Sequence, residues 1–255
     1  MIRIKKPLIA PDRLLVQGAA ADQQNRQDYD NNPNAYINLT VEFDILPGIY
    51  GHATVKKALK DAQRSKCCFC EKEQKDEYGA VEHFRPKMGF KQEKDDPLIK
   101  PGYFWLGYTW DNLLFVCSRC NSTEFKGNRF PLKSGSIRAR SHNDDLHYEK
   151  PYLINPAKTN PRKHIYFKNE FVKFRSIYGK QTINICGLDR AALNDKRRDV
   201  IDNLKSKIII VKAARFLDPN DVLDAKNFLI QAQKRESKFS ATARDFIKDS
   251  GVVLT

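Results

Sequence analysis

The chain has no run of about 18 apolar residues, the length a membrane-crossing helix needs. Its start, Met1-Ile2-Arg3-Ile4-Lys5-Lys6-Pro7, lacks the apolar stretch and small-residue cleavage site of a signal peptide. No long basic amphipathic helix with an aromatic face is present, which argues against a membrane surface as partner. Internal repeats, low-complexity segments and RNP-type RNA-binding signatures are also missing. These absences leave a soluble, cytoplasmic protein as the expectation. In a reducing cytoplasm its six cysteines are not expected to pair as disulfides.

What is in excess is positive charge. Lys and Arg number 45 against 31 Asp and Glu, for a net +14. An excess of this size points to a polyanion, with nucleic acid the leading candidate; the alternative is a basic surface with no dedicated partner. The 255 residues, 41% hydrophobic and 30% charged, suffice for one sizeable core or two small ones.

Residues 1–50 read as irregular, with a β-prone run from Ala35 to Ile45 and a Pro47-Gly48 turn. Thr54 to Lys66 reads as an amphipathic helix with Val55, Leu59 and Ala62 on one face. A hairpin is expected from His164 to Ser176, turning at Asn169-Glu170. The last third reads as helical. Asp189 is the expected cap of a long helix striped by Leu193, Val200, Leu204, Ile208 and Val211. Asp218-Pro219 opens a second helix, and Phe239, Ala243, Phe246 and Ile247 mark a third that stops near Gly251. The fold class is α+β. The expected division is an N-terminal arm over residues 1–52, a central domain over 53–180 and a helical region over 181–255.

The densest chemistry lies between residues 67 and 133. Cys67/Cys70 and Cys117/Cys120 are two pairs with two-residue spacing, which lets one tight turn present two sulfurs to a single ion. Thiolates are soft ligands that suit zinc, and four of them saturate a tetrahedral site, so the metal is structural. The competing reading, four buried free thiols, does not account for two matched pairs. Cys68 and Cys186 are left over and read as small buried residues.

Between the pairs stands Val81-Glu82-His83-Phe84-Arg85-Pro86-Lys87. Trp110-Asp111-Asn112-Leu113 precedes the second pair, and Asn121 and Lys126-Gly127-Asn128-Arg129-Phe130-Pro131 follow it. This order resembles the HNH (ββα-metal) endonucleases, and most closely the nuclease subunit of Septu-type antiphage systems, including retron-linked forms. The resemblance is best over residues 55–133. It implies a zinc knuckle bracing a β-hairpin and helix around one catalytic Mg²⁺ or Mn²⁺. In that frame His83 is the general base, Asn112 orients the histidine or its loop, and Glu82 and Asn121 are ligands of the catalytic metal. Arg85, Lys87 and Lys126 are phosphate contacts. The sequence departs from the wider family in having Glu82 where Asp is commoner, and in placing Lys126 two residues late. Read without the resemblance, Asn112 is a turn residue and Asn121 a helix cap.

The chemistry suits these residue types. A neutral imidazole takes a proton from water, and a hard divalent ion neutralises phosphoryl oxygens. The implied activity is hydrolysis of phosphodiester bonds in DNA, or in RNA such as host tRNA, under the control of a PtuA-like ATPase subunit. Two alternatives stand beside it: a non-catalytic zinc-ribbon module that binds nucleic acid, and a scaffold whose working surface is the helical C-terminal third. His52, His142, His147 and His164 read as structural or surface residues. The aromatic run from Tyr103 to Trp110 reads as core, with base stacking the alternative.

Overall fold

The computed structural model of the chain describes residues 1–74 and 79–254. Far from being irregular, the first fifty residues are largely helical. A π-helical turn over Leu14–Gly18 runs into α1 (Ala19–Asn31). Its buried face is Leu14, Gly18, Asn25 and Tyr29, a helical stripe with too few large apolar residues to stand out in the sequence. The β-prone run also folds otherwise. Asn32 accepts a hydrogen bond from the Ala35 amide and Pro33 takes the first helical position, so α2 (Pro33–Ile37) forms instead. Phe43 then turns inward, with its ring stacked on Tyr36 and Phe104 at 4.1 and 3.8 Å. Tertiary stacking overrides β propensity here.

After α3 (Pro47–Tyr50), His52 caps α4 (Ala53–Ala62), whose Val55 and Leu59 are completely buried. This helix ends four residues earlier than expected. Arg64 and Ser65 take positive φ angles of 55° and 52°, and Lys66 is turned into the interior. There its Nζ donates to the Ser237 carbonyl at 2.8 Å and lies 3.6 Å from Glu71.

The central sheet pairs β1 (Ala80–His83) with β2 (Leu113–Val116), antiparallel, with Ala80 opposite Val116 and His83 opposite Leu113. All four β2 residues are fully buried, which explains an unbroken apolar run where an exposed sheet would alternate. Gln63 completes the edge of β2: its amide donates to the Phe115 carbonyl at 2.7 Å and accepts from the Phe115 amide at 2.8 Å. One helical turn, α5 (Ser118–Asn121), follows β2.

The expected second hairpin is present as β3 (Ile165–Lys168) and β4 (Phe171–Phe174). Asn169 supplies the positive φ of 51° at its turn. Next come α6 (Ile177–Cys186), α7 (Ala191–Lys212), α8 (Pro219–Ala232) and α9 (Ser240–Asp249). Arg190, not Asp189, stands at the α7 cap, and it makes no side-chain cap bond. Asp218 caps α8 as expected, through the Asn220 amide at 2.7 Å.

Two cores result. The larger runs from Met1, Ile2 and Ile4 through the central sheet to Leu193 and Phe239, so the first residues belong to the main body. The smaller is Leu204, Ile208, Val211, Ala225, Leu229, Ala243 and Ile247, between α7, α8 and α9. Of the apolar tail after Gly251, Val252 and Leu254 pack against this second core and Val253 is exposed; Thr255 lies outside the described residues. Among the described residues no helix is long and apolar enough to cross a membrane.

Candidate functional site

The sulfurs of Cys67, Cys70, Cys117 and Cys120 are buried and all lie within 4.8 Å of one another. The Cys70 and Cys117 sulfurs are 3.8 Å apart. A tetrahedron of thiolates about 2.3 Å from zinc has an edge of roughly 3.8 Å, so the spacing suits that ion. Burial pushes the Cys67 thiol up, and four thiolates packed this closely would repel one another unless a cation lay among them. The Arg190 Nη2 donates to the Cys120 sulfur at 3.4 Å, an outer contact that steadies a ligand. Cys68 and Cys186 are buried outside this set, and the choice between Cys67 and Cys68 falls on Cys67.

This four-sulfur site sits at the base of the β1–β2 hairpin, and His83 ends β1. The His83 Nε2 lies 2.8 Å from the Gly107 carbonyl. A carbonyl only accepts, so Nε2 carries the proton and Nδ1 keeps its lone pair. The residue is only 6% exposed, and burial drops its pKa to about 3. The imidazole is therefore neutral at cellular pH. Tyr50 packs edge-on against it, with ring centroids 4.7 Å apart. Lys87 is half-buried over that tyrosine ring at 5.2 Å.

Asn112 fixes the chain that leaves β1. Its Oδ1 accepts from the Arg85 amide at 2.8 Å, and its Nδ2 donates to the Arg85 and Leu106 carbonyls at 3.0 and 3.1 Å. One buried side chain thus locks both ends of the Arg85 peptide unit and the loop that carries Gly107. Arg85 is held again through Nε on Glu149 at 2.7 Å. Glu149 also accepts from the Tyr103 hydroxyl at 2.6 Å and the Ala139 amide at 3.1 Å.

Two expected site residues lie elsewhere. Glu82 and His83 are neighbours on one strand and point to opposite faces. The Glu82 carboxylate is buried and in direct contact with the Lys126 ammonium. Lys126 is fully buried, and its Nζ also donates to the His83 carbonyl at 2.9 Å. Lys126 is thus an internal counter-ion and not a surface phosphate contact, because an unpaired buried carboxylate at Glu82 would be costly. By the same token Glu82 is not open to a catalytic cation. Burial raises its carboxyl pKa and Lys126 opposes the shift. Asn121 is partly exposed at the end of α5, directly after the ligand Cys120.

Three of the remaining histidines have side-chain hydrogen-bond partners. His52 bonds Thr54, His142 faces Asp30, and His164 lies 2.7 Å from the Ser176 hydroxyl. The aromatic residues Tyr103, Phe104, Trp105, Tyr108 and Trp110 are all buried, so they form core. Tyr50, Gly107 and Glu149 were not foreseen. Tyr50 sits in what reads as a Pro-Gly turn, Gly107 acts through its backbone, and Glu149 stands in a polar stretch with no pattern.

No protein-family model matches the chain. It is similar to the Septu protein PtuB of Bacillus mycoides (strain KBAB4), with 35% identity over 162 residues, 62% of this chain and 54% of that protein. The chain thus spans about half the length of that relative. A second Septu protein PtuB, from Bacillus thuringiensis, is 26% identical over 251 residues, 88% of this chain and 84% of that one. The chain is thus similar to two Septu PtuB proteins.

Proposed function

We propose that the chain is the nuclease component of a Septu-type antiphage system, an HNH (ββα-metal) endonuclease that hydrolyses phosphodiester bonds in DNA or in RNA such as host tRNA. The observation that carries this reading is His83. A neutral imidazole with its tautomer set by the Gly107 carbonyl and its strand end pinned by Asn112 is a positioned base, and its basicity must rise from the buried value of about 3 when an anionic phosphate binds beside it. Its Nδ1 takes a proton from water, the water oxygen bonds to phosphorus, and the ester oxygen leaves. The net charge of +14 favours approach of the polyanion, with Lys87 and Arg85 as contacts near His83.

A hard divalent ion, Mg²⁺ or Mn²⁺, would supply neutralisation of phosphoryl oxygens. The Asn121 amide oxygen is the donor proposed for it. Glu82 joins only once the Lys126 ammonium moves aside. The engagement of Glu82 by Lys126 favours the second reading, a zinc-braced module that binds nucleic acid without cutting it.

A basic nuclease in a cell needs restraint, and a PtuA-like ATPase subunit, with or without a retron, is the proposed source. The candidate docking surface is formed by α7, α8 and the turn between them, where Ile209 (66% exposed), Phe216 (73%) and Leu223 (55%) face solvent. The discriminating experiment incubates plasmid DNA and tRNA with the protein, with and without its partner, in Mg²⁺ against EDTA. Cleavage that needs Mg²⁺ and His83 supports the enzyme. Binding without cleavage under every condition supports the module.

A further inference from the structure

A cavity of about 630 Å³ is lined by Phe84 and Arg85 on the strand leaving β1, by the loop carrying Asn112, by the Lys150–Thr159 segment and by Tyr178 at the start of α6. Its volume lies within the range that holds small organic ligands. Phe84, Ile154 and Tyr178 supply an apolar, partly aromatic wall. Three cations line the cavity, Arg85, Lys150 and Lys158. Glu149 engages Arg85 through Nε, and the guanidinium, steadied beside the Phe84, Tyr103 and Phe130 rings, has terminal nitrogens to offer an anion. Lys150 is exposed on the rim, whereas Lys158, also on the wall, is paired with Asp111. Asn155 is 8% exposed; its Oδ1 accepts from the Ala157 amide at 2.9 Å, which leaves Nδ2 as a donor on the wall.

An apolar wall with aromatic rings, one buried amide donor and two cations besides the paired Lys158 match an anion joined to a heterocycle. We propose that this cavity is a nucleotide subsite, with the phosphate against Arg85 and Lys150 and the base against Tyr178 and Phe84 within reach of Asn155. The inference deepens the nuclease reading and rests on it for one source of the nucleotide, a strand threaded past His83. Arg85 lies two residues beyond His83, roughly 7 Å along an extended chain, so a nucleotide held here neighbours the bond at His83. A free nucleotide has the same chemistry and is the other source.

The test uses the full-length His83→Ala protein, so that no ligand is consumed. Binding of AMP, GMP, CMP and UMP is measured by calorimetry, and a fluorescent single-stranded oligonucleotide is followed by anisotropy. The expected result is saturable mononucleotide binding that Lys150→Glu and Tyr178→Leu each weaken about tenfold, the scale of one charge-assisted or stacking contact. Zinc content and melting temperature of both variants are checked against the parent. If the oligonucleotide displaces the mononucleotide, the source is a strand; if both bind together, it is a free nucleotide. Absence of mononucleotide binding up to millimolar concentration overturns the proposal. So does binding that neither substitution alters. Mononucleotide binding requires no cleavage, so a protein that binds nucleotides and cuts nothing refutes the nuclease reading and leaves the cavity assignment standing.

Discussion

The cysteine-braced hairpin and the C-terminal helices are held by different means. In the hairpin every β2 residue is buried, the histidine, asparagine and lysine side chains are locked by named partners, and four sulfurs join two distant segments. In the helices a short apolar stripe forms a small second core, and large apolar residues are left in solvent. A preorganised site requires the first kind of support. A surface that recognises a partner requires the second. On the proposed reading the two regions divide rigidity and recognition between them.

Breaking the metal site should have the largest effect. A structural zinc contributes on the order of 10 kcal/mol to folding a small zinc domain. Cys70→Ser and Cys117→Ser are expected to lose zinc and aggregate, with the loss read by metal analysis and circular dichroism. Strong chelation or acid, which protonates thiolates, should do the same to the parent protein. A zinc-free Cys117→Ser protein that melts like the parent would contradict the bracing role.

Next comes the buried ion pair. Lys126→Met leaves the Glu82 carboxylate buried without a partner, at a cost of about 3–5 kcal/mol. The double variant Glu82→Gln with Lys126→Met removes both charges and should recover much of that loss in urea unfolding. Equal instability of the single and double variants would mean that the ammonium matters for its bond to the His83 carbonyl and not for Glu82.

The helical region should respond more mildly. Leu204→Ala empties part of the second core and is expected to cost about 2–5 kcal/mol. Phe216→Ser, at an exposed site, should change stability by less than about 0.5 kcal/mol, yet weaken association with the ATPase subunit in co-purification. Full retention of the partner by Phe216→Ser together with Leu223→Ser would move the docking surface elsewhere.

The same contrast explains what the sequence made legible. Paired cysteines announce themselves because metal geometry imposes spacing, and the Asp218-Pro219 cap and the Asn169 turn are legible because backbone geometry limits the residues that fit. The motif singles out Asn112 and His83 but not their partners. Gly107 acts through a carbonyl that every residue possesses, and Glu149 is a distant carboxylate in an unpatterned loop. The motif offers Lys126 as a phosphate contact, because sequence does not record which lysine is turned inward. The Ala35–Ile45 run was read by β propensity, and the stacking of Phe43 on Phe104 decided otherwise.

The central claim is that His83 is a base held ready by its surroundings. Its most direct test is the cleavage rate of His83→Ala, at matched zinc content and matched Mg²⁺, in the complex that is active for the parent protein. The account predicts a loss of about 10²–10⁴ in rate, with nucleic-acid binding and melting temperature unchanged. Parental cleavage rates in a folded, zinc-replete His83→Ala protein would contradict it.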